Sequence, residues 1–288
     1  MRIATYRHNN TRHVGRVSSD GLHIQSFEIS ADIAHHGALR LLESVVTGGH
    51  WPAVSSQQVA VSDVNLEAPI PLPTRNIWCV GRNYHEHAKE LSTSVFKDSS
   101  TNTQAWPIVF TKVPECVIAT GEAIEMPKVS TAIDYEAELA VIIGKGGKGI
   151  TKADAMKHVW GYTIVNDITA RDWQNKHMQW HMGKSFDTFC PMGPWLVSAD
   201  EMDGQNTHVR CYVNGEERQN AATPDLIFDI PTLIETLSAG ITLYPGDVIA
   251  TGTPVGVGIG FTPPKYLKSG DVVRVEIDGI GVLENPVK

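Results

Sequence analysis

Alternation of apolar and polar positions dominates this chain and predicts more strands than helices. The sharpest instance is DYEAELAVII, residues 134–143. Asp134, Glu136 and Glu138 alternate with Tyr135, Ala137 and Leu139, a period of two that reads as a strand. The three acids then share one face. The run continues into Ala140, Val141, Ile142 and Ile143, which reads as fully buried. VWGYTIVND (159–167) is a second strand, ending in Asp167. IWCVG, PIVFTK, GPWLV, HVRCYVNGE and GDVIATG read as further strands, and DVVRVEIDGIGVLENPV as a terminal hairpin around DGIG. Residues 1–28 read as short strands joined by the turn SSDG.

Helical signals are fewer. They cover 31–47 (ADIAHHGALRLLESVVT), 85–91 (HEHAKEL), an irregular stretch at 168–183 (ITARDWQNKHMQWHMG), and 229–240 (DIPTLIETLSAG), which stops at Gly240. STSVFKDSSTNTQAW (92–106) is polar without a period and reads as a loop. LEAPIPLPTRN (66–76) holds three prolines and reads as an extended connection. A small N-terminal α/β domain over 1–70 and a larger domain over 71–288 follow from it. Many strands in uneven order with few helices predict an α+β, β-rich fold rather than repeated βαβ units.

Composition narrows the partners. At 288 residues the chain can bury a sizeable core. Its net charge is −8 and it has no basic block, which speaks against a nucleic-acid partner. An anionic substrate would need a few placed cations instead of a general positive field. The four cysteines lack CxxC spacing, so reduced thiols are expected, without a disulfide frame or zinc ribbon. No apolar run reaches membrane-spanning length, and the N-terminal stretch has no apolar signal-like core. The expectation is a soluble cytoplasmic protein with no membrane partner.

The acids carry the chemistry. Buried carboxylates must take a proton, pair with a cation or bind a metal, and no Lys or Arg interleaves Asp134, Glu136 and Glu138. Asp167, from a neighbouring strand, offers one more oxygen ligand. Such a set suits Mg²⁺ or Mn²⁺, which keep positions open for substrate. His87 and Glu90 stand at i and i+3 of a helix, as a histidine oriented by a carboxylate does in a general base. His177 and His181 stand at i and i+4, a possible metal pair without an evident third ligand. GKSFD is neither a P-loop nor a nucleophile elbow. TGTPVGVGIG (251–260) follows a strand but leads to no helix. It is expected to let backbone and threonine hydroxyls approach a ligand closely.

Together CVGRNYHEHAKEL, DYEAELAVIIG, GYTIVNDITARDWQ, GKSFDTFCPMGPWLV, FDIPTLIETLSAGITLYPGDVIATGTPVGVG and GIGVLENP resemble the fumarylacetoacetate hydrolase family, in order, over about residues 71–288. The resemblance implies a mixed β-sandwich roll, a homodimer and one Mg²⁺ or Mn²⁺ per subunit. Glu136, Glu138 and Asp167 would be the ligands, with Asp134 left out. It implies that His87 and Glu90 activate water and that Lys184 meets developing negative charge. Arg171, Gln174 and Thr253 would touch the substrate, with Thr251 the alternative to Thr253. The activity expected is hydrolysis of a carbon–carbon bond in an acylpyruvate, giving pyruvate and a carboxylic acid. Oxaloacetate decarboxylation, or isomerisation or hydration of an oxo-acid, would use the same metal and enolate. A non-catalytic cation-binding protein would need the carboxylates but not His87, Glu90 and Lys184.

Overall fold

The computed structural model describes residues 1–93, 106–176 and 179–288. Residues 94–105 of the expected loop, and His177, lie outside these. The alternating segments assemble into a large sheet and a smaller one. At the centre of the large sheet lies Ala137–Ile143, all seven residues buried. It pairs antiparallel with Val159–Asn166 on one side (Ala137 opposite Asn166) and with Val248–Ala250 on the other. Ile77–Gly81 joins parallel to Val248–Ala250, and Ile108–Lys112 closes that edge. A strand with neighbours on both sides and both faces covered favours apolar residues on both faces, which is why AVII abandons alternation after the buried Glu138.

The smaller sheet is antiparallel, in the order Glu216–Ala222, His208–Val213, Val272–Ile277, Gly281–Pro286. It keeps a period of two: Val209, Cys211 and Val213, then Val273, Val275 and Ile277, are buried between more accessible neighbours. Its strands pack against the central strands of the large sheet, and the two apolar faces form the core of the sandwich. The fold is β-rich with few helices, as expected.

The first seventy residues are tied into this layer. Arg2–His8 pairs with Thr11–Val17 and also reaches Cys190–Ser198, with Arg2 opposite Val197, so the large sheet runs on through the N-terminal strands. The helix expected over 31–47 is two helices, Ala31–His35 and Ala38–Val46. The break is at Gly37, whose φ is +62°. A Cβ there would meet Pro71 Cδ at 2.5 Å, and Pro69 O and Thr5 Oγ1 at 2.8 Å. The proline connection therefore passes where only glycine leaves room. Ile230–Ser238 is capped by Asp229, which accepts from Thr232 N, and buries Ile230, Leu233, Ile234 and Leu237 at helical spacing. No helix among the described residues is long and apolar enough to cross a membrane.

Candidate active site

The run 134–143 is not one strand. Ile133–Asp134 pairs with Thr169–Ala170, while Ala137–Ile143 belongs to the large sheet. Between them side chains take the amides that a ladder would use. Tyr135 N–H donates to Asp134 Oδ1 at 2.9 Å, and Glu136 N–H to Asn166 Oδ1 at 3.0 Å. The common face read from the sequence is therefore interrupted. Asp134 turns away and accepts from Gly258 N (2.6 Å) and Ile259 N (3.0 Å). Glu136 and Glu138 converge with Asp167, the residue after Val159–Asn166. One oxygen from each of these three buried carboxylates lies within 4.8 Å of the others.

The sequence places no base among these acids, and the fold brings three from elsewhere. Lys184 Nζ donates to Glu136 Oε2 and Asp167 Oδ2, both at 2.7 Å. Arg171 donates through Nε to Asp134 (2.8 Å), and through Nη1 to Glu136 (2.7 Å) and Gln174 Oε1 (3.2 Å). Its Nη2 is buried and has no hydrogen-bond partner among the described residues. Lys112, wholly buried, donates to Asp167 Oδ1 at 2.6 Å, to Ile168 O at 3.1 Å and to Lys184 O. Four carboxylates thus face three cations, and Glu138 alone of the four forms no ion pair among the described residues.

The proton affinities follow. Burial would raise the Glu136 carboxyl, but Lys184 and Arg171 outweigh it and hold it at about 2. Glu138 is pushed well above its usual 4.5 by burial, then by Asp167 and Glu136; the Lys184 charge and the Gly252 N–H at 2.8 Å offset only part of this. A buried, oxygen-only donor set with one negative charge uncompensated fits a hard divalent cation. Glu136, Glu138 and Asp167 form a group that can hold one.

Lys112 was missed in the sequence, although its signal is the one that marked Asp167: a charged residue closing an apolar strand. Its removal should be costly. Lys112→Met strips a donor from Asp167 and from two buried carbonyls, so a loss of roughly 3–5 kcal/mol of unfolding free energy is expected in denaturant titration. A change within about 0.5 kcal/mol, ordinary for a surface position, would show that Lys112 holds nothing.

His87 and Glu90 lie on the helix His85–Thr93. His87 is 2% exposed, and its Nδ1 meets Glu90 Oε2 at 3.0 Å. That leaves Nε2 for the cleft. Glu90 Oε1 accepts from Gly256 N at 3.1 Å, and a Cβ on Gly260 would lie only 1.9 Å from that oxygen. Amides of the segment 251–260 hold the protein's own carboxylates: Gly252 on Glu138, Gly256 on Glu90, Gly258 and Ile259 on Asp134. Thr253 lines the cleft and accepts from Gln219 Nε2 at 2.7 Å, whereas Thr251 is buried and donates to Leu139 O.

His87, Glu136, Glu138, Arg171, Gln174, Lys184 and Thr253 all line one cleft. Glu90 and Asp167 stand behind it, against His87 and Lys184. Arg82, Phe110 and Trp180 also line it and had no signal in the sequence beyond following or lying in apolar strands, or preceding a short helix. His181 is engaged by Thr111 O at 2.9 Å and stands apart from the carboxylates.

A β-rich sandwich with a buried three-carboxylate group, a His–Glu pair and a lysine in one cleft defines a class of enzymes. Residues 76–288 match the family model described as fumarylacetoacetate (FAA) hydrolase C-terminal. The chain belongs to the fumarylacetoacetate hydrolase family, as the resemblance implies. It is 51% identical to the oxaloacetate tautomerase YisK of Bacillus subtilis over 81% of this chain and 76% of that protein. It is 40% identical to a mitochondrial oxaloacetate tautomerase, fahd2, of Xenopus laevis over 100% of this chain and 90% of that one. A solved fumarylacetoacetate hydrolase from Exiguobacterium antarcticum superposes with a TM-score of 0.84 at 38% identity, covering 100% of this chain and 99% of that one.

Proposed function

We propose that this protein is a divalent-metal-dependent tautomerase of a small oxo-acid, with oxaloacetate as the substrate. The observation that carries this over acylpyruvate hydrolysis is the 51% identity to the Bacillus subtilis oxaloacetate tautomerase across most of both chains. The reaction moves one proton and cleaves no carbon–carbon bond.

A divalent cation, Mg²⁺ or Mn²⁺, held by Glu136, Glu138 and Asp167 would supply Lewis acidity that draws electron density from the 2-oxo group. The chain's own residues do the rest. Arg171 Nη2, buried and without a hydrogen-bond partner among the described residues, binds the substrate's C1 carboxylate. Glu90, accepting at Nδ1, holds the His87 proton there and leaves the Nε2 lone pair as the base. His87 Nε2 removes a proton from C3; the C–H pair forms the C2–C3 double bond, and the carbonyl pair moves onto O2. Lys184 has three N–H donors, and two are taken by Glu136 and Asp167. The third meets the charge growing on O2. Return of the proton from His87 to O2 completes the enol, and the reverse path gives the keto form.

The test follows enol oxaloacetate by its ultraviolet absorbance and pyruvate by a coupled dehydrogenase. Faster enol loss without pyruvate, abolished by chelator and restored by Mg²⁺ or Mn²⁺, is the expected result. Pyruvate release from acylpyruvates, with enol oxaloacetate untouched, would replace tautomerisation by hydrolysis; pyruvate from oxaloacetate would replace it by decarboxylation.

A further inference from the structure

One buried side chain behind the cleft is polar where a sandwich core favours an apolar one. Gln219 is 1% exposed and is the one fully buried residue of the strand Glu216–Ala222. The ladder with His208–Val213 slips there: Cys211 lies opposite Gln219 and Tyr212 opposite Glu217, so Arg218 is the extra residue of a bulge. A bulge re-aims side chains, and Gln219 reaches from the smaller sheet to the larger one. Its Oε1 accepts at 3.0 Å from Ala137 N, the amide between Glu136 and Glu138. Its Nε2 donates to Thr253 Oγ1 at 2.7 Å and to Pro254 O at 2.8 Å.

These partners leave the amide one orientation. Ala137 N–H can only donate and Pro254 O can only accept, so the amide oxygen and nitrogen cannot exchange places. Both Nε2 hydrogens are then spent, one of them on the Thr253 oxygen. The single proton of the Thr253 hydroxyl cannot lie along that bond and must point elsewhere. Thr253 is 2% exposed and lines the cleft, and among the described residues its hydroxyl donates to none. Thr251, by contrast, spends its proton on Leu139 O at 2.9 Å.

We infer that Gln219 is a positioning residue, which commits the Thr253 hydroxyl as a donor to a carboxylate oxygen of the oxo-acid. This rests on the oxo-acid tautomerase reading and adds a residue that acts without touching substrate. The direction of the hydroxyl matters, because its lone pairs would repel a carboxylate that its proton attracts. In a chain of net charge −8, anion capture depends on such placed donors.

The test is a double-mutant cycle with Mg²⁺, read as KM and kcat for enol oxaloacetate and, by calorimetry, as the Kd of oxaloacetate. Thr253→Val removes the hydroxyl at nearly constant shape. It should raise KM and Kd roughly ten-fold, the worth of one hydrogen bond to a charged group, with kcat held within about three-fold. Thr253→Ser keeps the hydroxyl and should stay within about three-fold of the wild type. Gln219→Met removes the amide and frees the Thr253 proton to turn to Pro254 O, so KM and Kd should rise by a similar factor. Gln219→Glu keeps an acceptor for Ala137 N–H but offers Thr253 an acceptor in place of a donor, and should raise them at least as far. Each Gln219 change is repeated on Thr253→Val, where it should cost less by about the factor that Thr253→Val costs alone. An equal cost in both backgrounds would make Gln219 structural only and overturn the inference. So would a wild-type KM in Thr253→Val, or a loss in Thr253→Ser as large as in Thr253→Val. Melting temperatures show which Gln219 variants fold, and failure of both to fold also overturns a positioning role. If the wild type binds oxaloacetate without speeding its tautomerisation, the tautomerase reading fails, and the cycle in Kd still decides Gln219. If the wild type does not bind oxaloacetate, both fail.

Discussion

Replacing Glu138 by glutamine is expected to raise the melting temperature of the metal-free protein and to abolish its response to divalent metal. The two effects have one cause. Glu138 is 1% exposed, faces Asp167 and Glu136, and has no cation paired to it among the described residues. Folding without metal must bury that charge or bind a proton in its place. The amide removes this penalty and can still accept from Gly252 N. For a chain of this size each 1 kcal/mol recovered raises the melting temperature by about 2–4 °C. The same change deletes one of three anionic ligands, so metal affinity should fall by at least roughly a hundred-fold, and the thermal shift on adding Mg²⁺ or Mn²⁺ should vanish. A variant that melts lower than wild type without metal, yet keeps its metal shift, would show that Glu138 lacks this role.

The pH dependence has opposite signs at the two glutamates. The Glu138 carboxyl is raised, so above about 4.5 the metal-free folded state holds a proton that the unfolded chain has lost. Its stabilising effect is present at low pH and is lost as pH rises through the folded value. Metal binding displaces that proton, so apparent metal affinity rises with pH. Glu136, held at about 2, stabilises the fold above about 4.5, and that stability is lost as pH falls toward 2. Glu138→Gln should flatten only the first dependence.

His87→Ala is expected to lower kcat by about 10²- to 10⁴-fold, the usual contribution of a placed general base. Metal affinity should stay within a few-fold, since His87 is not among the three carboxylates that can hold the ion. Loss of metal binding together with activity would make His87 a ligand rather than a base. Glu90→Gln separates orientation from base strength. The carboxylate can only accept, so it fixes the Nδ1–H tautomer, whereas an amide can donate and permit the other. The expected loss is smaller than for His87→Ala, with a shifted pH profile. Equal losses in the two variants would place Glu90 itself in the proton transfer.

The sequence by itself determined whatever local geometry controls. A period of two marked the strands, and an apolar run marked Ala137–Ile143 as central. Spacing of i and i+3 put His87 beside Glu90, and the ordered motifs gave the family. Only the tertiary structure decided which charges meet. Lys112 reaches Asp167 across 55 residues, Lys184 reaches Glu136 across 48, and Arg171 reaches Asp134 across 37. These pairings depend on the order of strands in the sheet, and no periodicity along the chain records that order. The same holds for Asp134, which an alternating pattern groups with Glu136 and Glu138. Side-chain acceptors take the next two amides and interrupt the strand, so Asp134 holds the glycine loop while the other two face Asp167.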